Sequence, residues 1–421
     1  MAIKTNPMRS QVRMNMYPND RLLTPILVLL VILPMIATDI YLPALPVIGE
    51  QLGVNEKALT GSLTSYMLGY SVSLLFSGLL ADIYGRRIIT IIGLSIFIIS
   101  SIGCFFAPSI EHLVMWRFFQ ALGGGCGTLI ARIIVRDIHD QQSQVKVLSQ
   151  LAAGLVISPI LGPIIGAHIS NYFGWRTIFL VLACLSLFVL ALISLFMRET
   201  LLRDNLRKSF GFEGILSRWL ALWQHREFVF NTLVISFAWA IYFTFVSTSP
   251  RLIQNFHKID PIEYSYLFSI TISGFIFGAI FIRWKITSFN LRYLIFISGL
   301  ITLISTLILC ILVLLGVGVL AAKLFFVFCA LFGIGIIFPA AQSGVTGPFK
   351  DDIGLVSGVF YSTEMFFGVI CGYILSSIGV KGWEVTSIMM LIAAVCIVSL
   401  SRLDKLYGVK RQSIALRIRL R

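Results

Sequence analysis

Charged side chains are scarce in this chain. Asp, Glu, Lys and Arg make up 12% of the 421 residues, and hydrophobic residues make up 57%, whereas a soluble domain is about 25% charged and 45–50% apolar. The composition therefore excludes an ordinary soluble protein and indicates a membrane protein. The formal net charge is +14, but the basic residues lie in short loops between apolar runs. We therefore expect no nucleic-acid partner.

The sequence also lacks the motifs of common enzyme classes. It has no Gly-Lys dipeptide, hence no P-loop, and no His-Glu-x-x-His zinc motif. The five histidines are scattered, and the seven cysteines lie in apolar runs without metal-ligand spacing. We predict no enzyme activity, no metal, no cofactor and free buried thiols. Residues 1–21 are polar and basic, so we also expect no cleavable signal peptide.

Twelve apolar runs are long enough to span a bilayer, which takes about 20 helical residues. The longest connection divides them six and six, which predicts an all-α membrane protein of two pseudo-symmetric six-helix bundles. Pro46 precedes Gly69 at nearly the spacing at which Pro250 precedes Gly274, a faint trace of duplication. The predicted spans one to twelve are residues 22–45, 59–81, 88–107, 111–134, 145–169, 176–197, 228–248, 264–284, 292–315, 320–343, 354–378 and 383–403.

The domain boundaries and the orientation follow from the same pattern. Most Lys and Arg residues fall on one side if both termini are cytoplasmic. The linker contains an amphipathic stretch, residues 215–223, which we expect to lie on the membrane surface. We expect the basic tail to face anionic lipid. The predicted segments are a tail 1–21, a bundle 22–197, a linker 198–227, a bundle 228–403 and a basic tail 404–421.

Asp39 is a carboxylate inside the first span. Placing an Asp at mid-membrane costs about 2.5–3.5 kcal/mol, and helix folding does not require it. We therefore expect Asp39 to face water or a partner and to have a function. The alternative is a solvated Asp at a helix end that Pro43 and Pro46 mark.

The loop after span two carries the frame Gly78-x3-Asp82-x2-Gly85, followed by Arg86 and Arg87. Gly78 allows close helix approach, and Gly85 permits a tight turn. Asp82 is placed to accept from Arg86 or to lie at a helix N-terminus. The alternative, an ordinary basic loop, explains the two arginines but not the frame.

This loop, residues 78–87, resembles the signature loop of the major facilitator superfamily. Residues 117–123 resemble its buried-arginine motif, and residues 158–167 its Gly-Pro antiporter motif. Residues 38–43, with Arg136 and Asp137, are similar to the bicyclomycin/chloramphenicol-resistance (Bcr/CflA) branch of drug:proton antiporters. The resemblance implies a central cavity between the two bundles, alternating access, and spans one and four beside that cavity. Trp175, Arg176 and Phe179 resemble the start of span six, and residues 199–201 its end.

The chain departs from these patterns at three positions. The Gly-Pro motif usually has Gly at both ends, where this chain has Ser158 and Ala167. Both residues are small, so close packing is retained. In span eleven the branch has a Gln where this chain has Glu364, which adds an ionisable group near mid-membrane.

The predicted proton-coupling residues are Asp39, Arg117 and Glu364. By the predicted boundaries Asp39 and Arg117 both lie about 9 Å deep, so Arg117 could stabilise ionised Asp39 in one state. Alternatively, Arg117 binds backbone carbonyls and braces helices. Glu364 is either a second protonatable or cation-recognising group or a protonated carboxyl with a packing role.

The remaining site predictions concern gating and substrate contact. Aromatic side chains with polar handles suit apolar, partly polar ligands. Packing alone would explain the Gly-Pro residues, and the resemblance implies their role in gating. The predicted gating residues are Gly78, Asp82, Gly85, Arg86, Arg87, Gly162, Pro163 and Gly166. The predicted substrate contacts are Tyr41, Trp239, Tyr242, Phe243 and Tyr361.

Taken together, the sequence favours a secondary transporter that exports small apolar or amphiphilic compounds, with protons as the coupling ion and multidrug efflux as its role. One alternative is a dedicated exporter or importer of a metabolite such as a siderophore or sugar. Another is a non-transporting membrane receptor or scaffold, which leaves Asp39 and Arg117 unexplained. We expect a monomer in a bacterial inner membrane.

Overall fold

The computed structural model describes residues 20–201, 217, 219–285, 290–346, 353–379 and 382–419. Helices fill nearly all of this part, which contains no strand. Within it, twelve helical segments are long and apolar enough to cross a membrane. The predicted all-α, twelve-span class is confirmed.

The helices are longer than the predicted spans at several ends, because apolar runs continue into polar turns of the same helix. Their bounds are Asp20–Asp39, Leu45–Leu52, Glu56–Tyr84, Arg86–Phe105, Ile110–Ile138, Gln141–Phe173, Arg176–Phe196, Arg226–Ser249, Pro261–Lys285, Leu291–Leu314, Leu320–Thr346, Ile353–Ile378 and Trp383–Arg419.

The chain divides into two compact units. The first is Met1–Leu216 with Ser357–Ser362, and the second is Ser217–Val356 with Thr363–Arg421. In the first unit span two packs against span four, and in the second span eight packs against span ten.

The same backbone approach recurs in both units. A Cβ at Gly69 would meet the backbone of Phe118, and a Cβ at Gly274 would meet the backbone of Phe328. Small residues let helices approach this closely in membranes. The recurrence supports the duplication that the spacing of Pro and Gly indicates.

Span one is broken at Asp39. After that residue the chain makes a turn, a 3-10 segment at Leu42–Ala44 and a second helix at Leu45–Leu52. Pro43 and Pro46 do not end the span, as one interpretation held. Each lies in the first turn of a new helical segment, where the missing N–H would have no intrahelical partner. Asp39 is consequently nearer the middle of the membrane segment Leu22–Leu52 than predicted.

Two other spans have distinctive backbones, span five for its internal prolines and span seven for a change of helix type. Pro159 and Pro163 lie inside span five, where each removes a backbone donor and favours a bend. Span seven continues as a π-helix at Pro250–Asn255. Of the predicted surface helix at 215–223, residues 215, 216 and 218 lie outside the described residues, and residues 219–222 are helical. All seven cysteines are free thiols, although Cys184 is exposed rather than buried.

Candidate functional site

Asp39 lies at the end of the first helix and faces span five. Its exposed fraction is 6%, and the hydroxyl of Ser158 donates a hydrogen bond to its Oδ2 at 2.5 Å. The carboxylate therefore has a polar protein partner and is not the solvated helix-end residue of the alternative interpretation. It is a buried acid at the break in span one.

Glycines of the Gly-Pro motif bring span five against this break. A Cβ on Gly162 would lie 2.8 Å from the Cβ of Asp39, and a Cβ on Gly166 would collide with the backbone oxygen of Ile40. Ser158, Gly162 and Gly166 are four residues apart and so share one helix face. That face carries both the contact surface and the hydroxyl that reaches Asp39.

Arg117 is fully buried and is bound by neutral groups. Its Nη1 donates to the backbone oxygen of Ala37 at 3.0 Å and to Oε1 of Gln120 at 2.7 Å. Among the described residues Arg117 and Asp39 form no ion pair, because no Arg117 nitrogen lies within 4.0 Å of an Asp39 carboxylate oxygen. In this conformation the backbone-bracing alternative describes the contacts of Arg117, and the predicted pairing with Asp39 is not made.

Aromatic rings surround the Arg117 guanidinium. Its central carbon lies 4.1 Å from the ring centroid of Tyr66 and 4.8 Å from that of Tyr41. Such contacts contribute about 0.5–2 kcal/mol each. Its Nε and Nη2 are buried and have no hydrogen-bond partner among the described residues. A buried cation with two unused donors can accept a further acidic or polar partner.

Tyr41, a predicted substrate contact, is fully buried in the same cluster. Its hydroxyl shares a hydrogen bond with the hydroxyl of Ser62 at 3.0 Å. The neighbouring Tyr66 hydroxyl donates to the backbone oxygen of Pro34 at 2.7 Å. Tyr41 therefore belongs to the break in span one, and its ring contacts the Arg117 guanidinium.

The loop after span two forms the predicted charge contact. Nη2 of Arg86 lies 2.7 Å from Oδ1 of Asp82, and its Nε donates to Oδ2 of Asp137 at 3.1 Å. Gly85 has a φ of +103°, which glycine adopts without the strain of a Cβ. Gly78 packs with its α-carbon facing Leu129 of span four. The loop is thus fixed to the end of span four.

Glu199 completes this cluster and is not among the predicted gating residues. Its two carboxylate oxygens accept the backbone N–H groups of Arg86 and Arg87 at 2.9 and 3.1 Å. It therefore caps the N-terminus of span three, where a negative charge is favoured. The Arg87 side chain also donates to the backbone oxygen of Ser194. The sequence holds one indication of this residue, because Glu199 begins the stretch 199–201 that resembles the end of span six in the family. We call Asp82, Arg86, Asp137 and Glu199 the loop cluster.

In the second unit, two predicted substrate contacts stack on each other. The rings of Trp239 and Tyr242 lie 5.1 Å apart with an interplanar angle of 22°, and Phe275 and Phe338 pack beside them. Trp239 Nε1 is buried and has no hydrogen-bond partner among the described residues. The cluster offers flat apolar surface with one unused donor. Phe243 is buried on the same helix.

Tyr361 and Glu364 are close in sequence but fall in different units. Tyr361 belongs to the first unit, where the guanidinium carbon of Arg132 lies 4.3 Å from its ring centroid. Glu364 belongs to the second unit and is 2% exposed. Arg132 was not among the predicted residues.

The described ranges contain no group of three or more His, Cys, Asp or Glu side chains that could hold a metal ion.

Twelve spans in two similar units, with a buried acid at a break in the first span, are typical of a secondary transporter. A family model of the Major Facilitator Superfamily matches residues 27–372. The chain belongs to this superfamily, whose members are transporters rather than enzymes.

Relatives agree with this assignment. Over 376 residues the chain is 28% identical to the multidrug resistance protein MdtL of Escherichia coli O157:H7, covering 88% of this chain and 92% of that protein. The MdtL of Shigella boydii serotype 18 is similar to the same extent.

Solved structures share the fold. A D-xylose-proton symporter superposes with a TM-score of 0.71 at 13% identity, covering 90% of this chain and 97% of that one. The human organic anion transporter TETRAN superposes with a TM-score of 0.67 at 16% identity, covering 91% and 100%.

Proposed function

We propose that this chain is a proton-coupled exporter of small apolar or amphiphilic compounds. The buried carboxylate of Asp39, at the break in span one and against the Gly-Pro face of span five, is the observation that carries the proposal. An acid held inside the membrane by a single neutral hydroxyl has a high cost as a structural element. Reversible protonation of Asp39 during transport accounts for the presence of a buried acid at this position.

In the proposed cycle Asp39 takes a proton from the outside, and substrate binds from the inside when Asp39 is ionised. Different affinities of substrate for the two states supply the bias. A proton moving through 100 mV provides about 2.3 kcal/mol, and each pH unit adds about 1.36 kcal/mol. No cofactor takes part.

The other site residues have supporting roles in this proposal. Arg117 has two unused donors beside span one and can bind Asp39 or substrate in another conformation. The stacked pair Trp239 and Tyr242 receives the apolar part of the substrate. The loop cluster, with Gly78, Gly85 and Arg87, closes the cytoplasmic side. We propose that the protein is a monomer in a bacterial inner membrane. Both termini are cytoplasmic in this proposal, and anionic lipid lies at the cytoplasmic face.

The name of the MdtL relatives, multidrug resistance protein, supports export over import. The sugar symporter among the solved structures is 13% identical and supports only the shared fold. A dedicated metabolite carrier and a non-transporting receptor are the competing functions, and a proton-flux assay separates all three.

The experiment uses respiring everted membrane vesicles from cells that lack their own exporters. Tetraphenylphosphonium, ethidium and chloramphenicol are added in turn while a fluorescent dye reports the acid interior. An antiporter releases luminal protons as it takes up compound, so dye fluorescence should recover on addition. The Asp39→Asn variant, expressed at an equal level, should give no recovery.

The opposing outcomes are distinct. Recovery that is equal with Asp39→Asn would reject Asp39 as the coupling group. If no compound, siderophores and sugars included, makes the dye fluorescence recover, the non-transporting receptor is favoured. The Glu364→Gln variant tests the second acid, because an unchanged pH dependence and compound range would leave Glu364 with a packing role.

A further inference from the structure

The buried hydroxyl of Ser158 bonds to an ionisable side chain of another helix, whereas the cross-helix bonds of the buried Ser71 and Ser73 end on backbone oxygens. A helical serine commonly donates to a carbonyl one turn earlier in its own helix. Ser101 does so to Phe97 at 2.7 Å, and Ser186 to Leu182 at 2.5 Å. Ser158, which is fully buried, donates instead across the helix interface to Asp39.

The Ser158 bond is the only hydrogen bond that the Asp39 carboxylate accepts within the described part of the chain. Arg117 is held by Ala37 and Gln120 and does not reach it. The balance between ionised and neutral Asp39 in this conformation therefore depends strongly on one hydroxyl. Glycine, the usual residue at this end of the Gly-Pro motif, could not supply it.

We propose that Ser158 is a positioning residue for the proton site. Its hydroxyl stabilises the ionised form of Asp39 and so sets the pH at which Asp39 binds a proton. This inference rests on the proposed function, in which Asp39 carries the coupled proton.

The same hydrogen bond connects protonation to helix packing. A hydrogen bond to an ionised carboxylate is roughly twice as strong as one between neutral groups. Protonation of Asp39 therefore weakens the polar contact between span one and span five. The glycine contacts at Gly162 and Gly166 remain, so the helices stay packed but are held less firmly at the break.

The test measures proton binding to Asp39 without a transport substrate. The purified full-length protein is treated with dicyclohexylcarbodiimide, which modifies protonated carboxyls in apolar surroundings, over a series of pH values. Mass mapping of the Asp39 peptide gives the pH of half-maximal labelling. Asp39→Asn supplies the unlabelled baseline for that peptide.

Ser158→Ala removes the hydroxyl and adds no bulk. We expect its half-labelling pH to move upward by about one unit, a tenfold change in proton affinity, because the ionised form loses its hydrogen bond. Ser158→Thr retains a hydroxyl and should return the midpoint toward that of the unmodified protein. Ser186→Ala, which removes a buried hydroxyl that bonds within its own helix, should leave it unchanged.

An unchanged midpoint in Ser158→Ala would overturn the proposal, and a fall in thermal stability alone would assign Ser158 a packing role. If Asp39 is not labelled at any pH in the unmodified protein, the proposal is overturned as well. Labelling is independent of transport. A shifted midpoint in a protein that moves no protons in vesicles would therefore reject the proposed function and retain the effect of Ser158.

Discussion

Arg117 donates a hydrogen bond at 3.0 Å to the backbone oxygen of Ala37, two residues before Asp39. The buried cation of span four is thus attached to the segment of span one that holds the acid, although the two charges do not pair. Movement at the break in span one would change the surroundings of Arg117 directly. This contact gives the first prediction.

Arg117→Ala should abolish coupled transport and leave membrane insertion intact. The variant loses two charge-assisted hydrogen bonds and the ring contacts, and hydrogen bonds to charged groups contribute about 1.5–3 kcal/mol each. We expect at least about a tenfold loss in the vesicle proton assay, since 1.36 kcal/mol is tenfold. Arg117→Lys is the matched variant, and it should recover activity only in part because an ammonium lacks the planar fork.

Normal coupled transport in Arg117→Ala would limit Arg117 to bracing helices. Full activity in Arg117→Lys would show that the charge suffices without the two-acceptor geometry.

The Asp39 and Arg117 pair shows how far sequence reasoning reaches. Counting residues from the span ends predicts one depth for both, and in the structure Arg117 contacts Ala37, two residues before Asp39. The partner of each side chain depends on the rotation of its helix, which hydropathy does not give. The same limit applies to Ser158, which was noted only as a small residue replacing glycine.

Proline and turn chemistry show a second limit. Pro43 and Pro46 both suggested the end of span one, because proline interrupts a helix. Proline is equally suited to the first turn of the next segment, and the structure uses it so. Glu199 was missed for a related reason, since capping of span three across 113 residues requires the tertiary fold.

Gly166→Ala should destabilise the protein. The added Cβ would collide with the backbone oxygen of Ile40, and backbone cannot rotate away as a flexible side chain can. Overpacking of this kind costs about 1–3 kcal/mol and should lower the midpoint of thermal unfolding in detergent. Gly61→Ala is the control, because a Cβ there meets nothing within 4 Å. Equal midpoints for the two variants would refute the packing argument.

Glu199→Ala should loosen the start of span three. Arg86 and Arg87 would lose the acceptors of their backbone N–H groups, and loss of an N-terminal cap costs about 0.5–2 kcal/mol. Hydrogen exchange of these amides should accelerate by roughly two- to thirtyfold, the factor that about 0.5–2 kcal/mol corresponds to at room temperature.

The control for Glu199 is Glu227→Ala in the second unit. Glu227 pairs with Arg292 at a position where both side chains are more than 40% exposed, and exposed pairs contribute about 0–1 kcal/mol. The Glu227→Ala variant should leave hydrogen exchange of the Arg86 and Arg87 amides unchanged. Unchanged exchange in Glu199→Ala as well would show that water replaces the cap without cost.

Trp239→Ala should raise the KM for any compound that gives a proton signal in the vesicle assay. The variant removes the ring that stacks on Tyr242 together with a buried indole N–H that has no partner among the described residues. Loss of an aromatic contact contributes about 0.5–1.5 kcal/mol beyond area burial, so we expect roughly a two- to tenfold increase.

Two further variants decide what Trp239 supplies. Trp239→Phe keeps a flat ring and removes the donor, so a KM near that of the unmodified protein would assign the effect to stacking. Phe277→Ala removes an aromatic side chain of the same unit that is 55% exposed and should leave KM unchanged. If Phe277→Ala raises KM as much as Trp239→Ala does, the effect reflects general loss of aromatic bulk. The stacked pair would then not be the substrate contact.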